Sequence, residues 1–304
     1  MTRSRKPKRK FLKWTLRIIF LGITSILLFY LSVYLQVWAP IPNQNQLTEI
    51  RQSKASEVYA SNGKLIGKFY IFDRQPIDYD EIPQHLIEAL IATEDARFYD
   101  HGGIDNRSLL RVIFKSLLLQ DESSGGGSTI SQQLAKNLFP RKNHGIFSMP
   151  VNKTREAIIA TRLEKAYTKE EIITLYLNTV PFGDNTFGIE SAAAKFYSKK
   201  ARDLTLTESA VLVGMLKASH LYNPRIFPER SKTRRDVVLN QMSRYGYLTA
   251  EEVSIAKSEK LQLSYRGFSH EDGLAPYFRE QVRKKLDDWT KNNKDKEGEK
   301  YSLY

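Results

Sequence analysis

A mainly helical domain, led by a small β-hairpin and carried on a single membrane-spanning helix, is the fold class the sequence predicts. Three observations predict it. A charge-free apolar run from Ile18 to Ala39 follows a basic start. An Asn62-Gly63 pair separates two short β-prone runs. From Pro83 onward, apolar residues recur at helical spacing with no internal repeat.

The anchor comes first. Residues 1–17 hold eight Lys/Arg and no acid. About 20 apolar residues span a bilayer, and Tyr30, Tyr34 and Trp38 fit an aromatic belt at the outer interface. A cleavable signal peptide would have a shorter apolar core and an Ala-x-Ala-like site. Neither is present, which predicts an uncleaved signal anchor with the basic flank in the cytoplasm and everything after Ala39 exported. The formal charge is +13, and removing the tail's eight positives leaves +5. The basic character therefore reflects topology in large part and is no nucleic-acid footprint, while the remaining excess suits a surface near anionic lipid. The chain has no cysteine, so disulfides and cysteine metal sites are excluded.

Pro40 to about Ser53 reads as a polar juxtamembrane segment. Glu57–Ser61, Asn62-Gly63 and Lys64–Phe69 read as a hairpin closed by a type I′ turn. Pro83 to about Tyr99 reads as a helix with Pro83 near its first turn. Ile87, Leu90, Ile91 and Phe98 form its apolar stripe. Glu94 falls in the middle of that stripe, and Asp95 is turned away from it. Withdrawal from water makes a carboxylate a better proton acceptor, whereas a rim Glu paired with an arginine such as Arg97 is the structural alternative. Asn152 to about Tyr167 repeats the pattern: Glu156 shares a face with Ile159, Ala160, Leu163 and Tyr167. Two such helices point to paired carboxylates, the working groups of glycosyl chemistry.

Between these helices, Arg107–Gln120 combines a broad apolar face with a basic stripe of Arg107, Arg111 and Lys115, the pattern of a helix lying in a membrane interface. A core helix with a solvated basic edge has the same pattern. The Ser123–Gly127 run that follows is suited to a flexible hinge. The next helix is read with Ser128 as N-cap, Ile130, Leu134 and Leu138 inward, and Thr129, Gln132, Gln133, Lys136 and Asn137 outward. Amides suit sugar hydroxyls and a lysine suits a phosphate. The glycine run lacks the Gly-Lys-Ser/Thr of a nucleotide loop.

Five motifs in order resemble the glycosyltransferase domain of class A penicillin-binding proteins and monofunctional peptidoglycan glycosyltransferases. They are Glu94-Asp95-x-x-Phe98-x-x-His101; Gly127-Ser128-Thr129-x-x-Gln132-Gln133-x-x-Lys136-Asn137; Lys153-x-x-Glu156 with Lys169–Asn178; Gly188–Lys199; and Glu208–Gly214 with Tyr222-Asn223-Pro224. The resemblance covers roughly residues 55–265. Asn152 stands where the family usually has Arg, leaving Arg155 or Arg141 to take its place, and Phe196-Tyr197 swaps the family's Tyr-Phe.

The resemblance implies a lysozyme-like two-lobed fold with a smaller, membrane-dipping lobe. It also implies polymerisation of lipid II into glycan strands, with inversion at the anomeric carbon and release of undecaprenyl diphosphate. Glu94 is implied as general base. Lys136 and Lys153 would offset diphosphate charge, and Glu156 would assist the leaving group or a metal. Ser128, Thr129, Gln132, Gln133, Asn137, Arg155 and His101 complete the implied binding set. No motif demands a metal, although Mg²⁺ would be compatible with a diphosphate.

The implied partners are lipid II, the growing strand, membrane lipids and cell-wall synthesis machinery, with no nucleic acid. The implied location is the bacterial cytoplasmic membrane, with a single pass and the catalytic domain outside. The expected layout is 1–17 tail, 18–39 anchor, 40–82 juxtamembrane segment and hairpin, 83–265 catalytic domain, and 266–304 a connector toward an absent transpeptidase domain. Asp272–Arg279 resembles that connector, and Ser254-Ile-Ala-Lys257 matches a penicillin-binding Ser-x-x-Lys by spelling only. A glycan hydrolase and a non-enzymatic cell-wall scaffold remain as competing readings. The first would need no diphosphate-binding lysines, and the second no glutamates on apolar stripes.

Overall fold

The computed structural model describes residues 7–48, 50, 56–63, 65–69, 73–111, 127–265 and 276–293. It is mainly α-helical, with two small two-stranded sheets among the described residues. Helix α1 (Pro7–Tyr34) contains a stretch, Phe11–Tyr34, long and apolar enough to cross a membrane, with mean hydropathy 2.1.

The segment after it is less free than its polarity suggests. Ile41 and Leu47 are buried, and α2 (Gln44–Thr48) is a short helical turn. Arg155 donates to the Pro40 carbonyl at 3.0 Å and Arg162 to that of Pro42 at 2.7 Å, while the Tyr167 hydroxyl donates to the Leu47 carbonyl. All of these partners belong to α5 (Ser148–Ala166) or the residue after it. The strap between anchor and domain is thus bolted to one helix.

Strands β1 (Ser56–Tyr59) and β2 (Leu65–Phe69) form the expected antiparallel hairpin. Its turn differs from the expected type I′. Gly63 alone has positive φ (+78°), and its N–H donates to the Ala60 carbonyl at 2.9 Å. This is a type I turn ending in a left-handed glycine, with the register shift beside Tyr59 taking up the extra residue. Strand β3 (Asp73–Arg74) pairs in parallel with β4 (Thr186–Phe187).

The core is built by α3 (Gln84–Glu94), α4 (Ile130–Leu138), α5, α6 (Lys169–Thr179), α7 (Ile189–Tyr197), α8 (Leu206–Met215), α9 (Pro228–Arg244) and α10 (Ala250–Ser258). Helix α11 (Pro276–Asn292) follows. Four of these helices start with the same device. Thr129, Thr168, Thr205 and Thr249 each cap their helix and exchange hydrogen bonds with a Gln or Glu three residues on. Ser128 is therefore not the cap of α4, because the capping box selects Thr129. Helix α4 packs on α5 and α6, and α3 packs on α8 and α9. Helix α3 buries Leu86, Ile87, Ala89, Leu90, Ile91 and Ala92.

Helix α3 stops at Glu94, five residues short of the expected end. Asp95 leaves helical dihedrals (φ −157°, ψ 72°), and a 3₁₀ turn follows at Phe98–Asp100. Residues 106–111 are helical, with Leu109 and Leu110 exposed. The remainder of the expected interfacial helix and most of its glycine hinge lie outside the described residues.

Gly103 sits where the chain passes closest to α5. Its φ is +98°, and a Cβ there would lie 2.8 Å from the Ala160 carbonyl carbon. Gly103→Ala would combine backbone strain with a clash against main chain that cannot swing aside. It is expected to destabilise the domain by about 1–3 kcal/mol, read as a lower denaturant midpoint by far-UV circular dichroism.

Candidate active site

Glu94 ends α3 with its side chain about 15% exposed. Gln133 Nε2 donates to its Oε2 at 2.8 Å, and the Tyr176 hydroxyl donates to Gln133 Oε1 at 3.0 Å. Burial, and then the nearby Glu94 charge, push the Tyr176 hydroxyl well above its ordinary pKa, so it stays a neutral donor. That fixes the amide, because its oxygen faces the hydroxyl and its NH₂ must face Glu94. The relay delivers a donor to one carboxylate oxygen and leaves Oε1 without a hydrogen bond among the described residues. Glu94 thereby has a free lone pair for a substrate proton. Arg97, the arginine weighed as its partner, is instead paired with Asp105.

Asp95 is buried, not turned to solvent. Its carboxylate accepts the Ile130 N–H at 3.0 Å, the first amide of α4, and faces His101 Nε2 at 3.0 Å. His101 Nδ1 accepts the Gly103 N–H at 3.2 Å, which puts the ring proton on Nε2, toward Asp95. With both nitrogens used inside the protein, His101 braces Asp95 and is not presented to a ligand.

Glu156 is 4% exposed and lies beneath two cations. Arg141 Nε is 2.7 Å from Oε1 and Lys153 Nζ is 3.0 Å from Oε2, and Lys153 also donates to Ser128 Oγ at 2.8 Å. A buried carboxylate needs such partners. In return it holds two half-exposed cations side by side with one net positive charge to spare. This geometry makes Glu156 a holder of anion-binding groups. It does not fit a protein-held cation: both oxygens are taken, and among the described residues no group of three or more His, Cys, Asp or Glu is placed to bind a metal.

Asn152 accepts the Lys142 N–H at 3.1 Å and donates to the Lys142 and Ser148 carbonyls. It clamps the loop that carries Arg141. Arg155 is buried on the Pro40, Phe139 and Pro140 carbonyls, so of the two candidates only Arg141 is placed to meet an anion.

The outward wall expected on α4 divides in two. Thr129 is buried as the cap and also donates to the Gly103 carbonyl at 2.7 Å. Gln132 completes the capping box, and Gln133 serves Glu94. Lys136 and Asn137 make no hydrogen bond or ion pair among the described residues, and Lys136 is exposed. Gln133 lies in the first turn of α4 and Ser128 just before its Thr129 cap, so one short stretch of chain touches both the Glu94 group and the Lys153–Glu156–Arg141 group.

Sequence reasoning missed Arg234, whose Nη2 lies 3.9 Å from Glu94 Oε1. Helix α9 buries Ser231, Arg235, Val238, Leu239 and Met242. The reasoning that singled out Glu94, a charge on an apolar stripe, applies equally to this arginine pair.

A carboxylate with a free lone pair beside a cluster of cations is equipment for moving a group off an anionic leaving group with loss of a proton from the incoming one. That is the chemical class the fold and site define. The comparisons agree with it. The sequence model of the family described as Transglycosylase matches residues 62–243, and the chain belongs to that family. It is 39% identical over 209 residues to penicillin-binding protein 1F of Bacillus subtilis, covering 69% of this chain and 29% of that protein. It is 36% identical over 277 residues to penicillin-binding protein 1A of Pseudomonas aeruginosa (91% and 33%). It is 34% identical over 285 residues to penicillin-binding protein 1A of Escherichia coli (91% and 32%). The chain spans about a third of the length of the curated relatives it matches. A crystal structure of penicillin-binding protein 1A from Haemophilus influenzae aligns over 79% of this chain and 25% of that one, at 25% identity and a TM-score of 0.45.

Asp95→Ala would strip the partner from two buried donors, the Ile130 amide and His101 Nε2. It is expected to cost about 2–4 kcal/mol and to speed hydrogen exchange at the start of α4, measured by mass spectrometry.

Proposed function

We propose that this chain is a membrane-anchored peptidoglycan glycosyltransferase that polymerises lipid II. The observation that carries the proposal is Glu94, held by Gln133 and Tyr176 with one oxygen free, on the helix end that Asp95 ties to the cation-bearing side of α4. The acceptor's 4-hydroxyl gives its proton to Glu94 as its oxygen bonds to the donor's anomeric carbon. The carbon–oxygen bond to the diphosphate breaks on the opposite face, so the centre inverts. Undecaprenyl diphosphate leaves with the electron pair, toward Lys136, Lys153 and Arg141. A hydrolase would have no use for three cations beside the site, and a scaffold would have no use for the Tyr176–Gln133 relay.

The membrane side of this reading rests on α1 and on the turn before α5. Trp38, just past the anchor, has its ring 5.5 Å from Phe147 and 6.0 Å from His144. Beside it Ile146 is 89% exposed and Met149 59%. Isolated exposed apolar residues are ordinary, but an apolar tip packed against the anchor's exit fits a lipid interface. It would hold Arg141 and Lys142 at headgroup height. On this reading the domain after Ala39 lies outside the cytoplasm.

Three outcomes test the proposal. Detergent-solubilised protein should convert labelled lipid II to polymer, and Glu94→Gln should lose about 10²–10⁴-fold in rate with an unchanged fold. A variant within a few-fold of wild type would make Glu94 structural. Lys136→Ala should weaken donor engagement, seen as a raised KM, by about 1.5–3 kcal/mol, with Lys136→Arg restoring part of it. Protein shortened to begin near Pro40 should still sediment with anionic liposomes. Ile146→Ser with Met149→Ser should release it, each side chain contributing about 1–2 kcal/mol. Failure to sediment at low salt would remove the tip from the membrane.

A further inference from the structure

Adjacent arginines of α9 are treated in opposite ways. Arg235 is fully buried and satisfied: it bonds Asp236 and donates to the Lys257 and Glu259 carbonyls at 2.9 and 2.8 Å, closing the end of α10. Arg234 is 13% exposed, and its buried Nε has no hydrogen-bond partner. Its stem crosses α8 over Gly214, where a Cβ would come within 3.1 Å of Arg234 Cγ. Its guanidinium carbon lies 5.9 Å from the centre of the Tyr222 ring, and Nη2 reaches to 3.9 Å from Glu94 Oε1. Tyr222 in turn lines a cavity of about 500 Å³ with Leu221, Glu229, Arg230 and Thr233. Arg234 thus reaches both Glu94 and a tyrosine that lines the cavity.

We propose that Arg234 is a positioning residue for Glu94, whose charge holds the carboxylate with its free oxygen facing the guanidinium. The proposal rests on the reading of Glu94 as proton acceptor. The groups that face Glu94 are Gln133 from α4, Tyr176 behind it from α6, and Arg234 from α9 with Tyr222 across it. Among them only Arg234 is charged. At 3.9 Å it is too far for a hydrogen bond, so it acts through its field and leaves the Oε1 lone pair open. Gly214 supports the arrangement, since its missing side chain is what lets the Arg234 stem lie flat on α8.

The test is lipid II polymerisation by the full chain in detergent, with kcat and KM read separately, for wild type, Arg234→Gln, Arg234→Lys and Glu94→Gln. Arg234→Gln should lower kcat several-fold with KM little changed. Arg234→Lys should restore most of the loss. Thermal unfolding of both variants reports on packing. An unchanged kcat in Arg234→Gln, with Glu94→Gln inactive, overturns the role of Arg234 and leaves Glu94 in place. Equal kcat losses in both Arg234 variants, with thermal stability reduced alike, assign the residue to packing and also overturn it. Full activity of Glu94→Gln removes the base itself, and the proposal with it.

Discussion

The carboxylate of Asp95 at the head of α4 is the constraint to which both charged groups of the site refer. A negative charge is favoured at a helix N-terminus, where unpaired amides and the helix dipole meet it. Here the charge comes from 35 residues earlier in the chain and not from the local cap. Drawing Asp95 into that position takes it out of helical dihedrals and ends α3, which leaves Glu94 as the last helical residue with its side chain at an edge. The same bond fixes where α4 begins, and hence that Gln133 meets Glu94 while Ser128 meets Lys153. His101 and Gly103 brace Asp95 from behind.

The two glutamates illustrate how environment assigns roles to one side chain. Glu156 is covered and carries two cations within 3.0 Å. Both of its oxygens are engaged in holding those cations. Glu94 has one neutral donor on one oxygen and a single cation at a distance. Its second oxygen remains available. Divergent surroundings of this kind separate the acid–base partner from the electrostatic one in sites built on pairs of carboxylates.

Much of this was legible in the sequence. The helical class, the long apolar N-terminal helix, the hairpin (though not its turn type) and the stripe positions of Glu94 and Glu156 followed from composition, periodicity and the Asn62-Gly63 pair. Most of the failures share a physical cause, a contact distant in sequence. Asp95 reads as turned away from the apolar stripe of a helix that continues, and the Ile130 amide draws it into the interior instead. Ser128 reads as the cap of α4, and the reciprocal bond between Thr129 and Gln132 moves the cap by one residue. Gln132 and Gln133 spelled a sugar-binding wall, but one closes a cap and the other serves Glu94. Arg155 looked available for an anion until the Pro40 carbonyl claimed it. Arg234 went unnoticed because its target lies 140 residues upstream.

The strap at Pro40–Leu47 has a mechanical meaning. Its carbonyls are held by Arg155, Arg162 and Tyr167 along α5, the same helix that carries Lys153 and Glu156. An anchor joined through a slack tether would decouple the domain from the bilayer. One joined this way behaves as the short arm of a lever whose long arm is α5. The 24 residues of Phe11–Tyr34, which include Lys13 and Arg17 near their start, span about 36 Å, against a hydrocarbon core of about 30 Å. Such a helix meets the excess by tilting. On the proposed membrane reading, tilt is passed through the strap to α5, and bilayer thickness becomes a setting for the angle at which the cations face the headgroups.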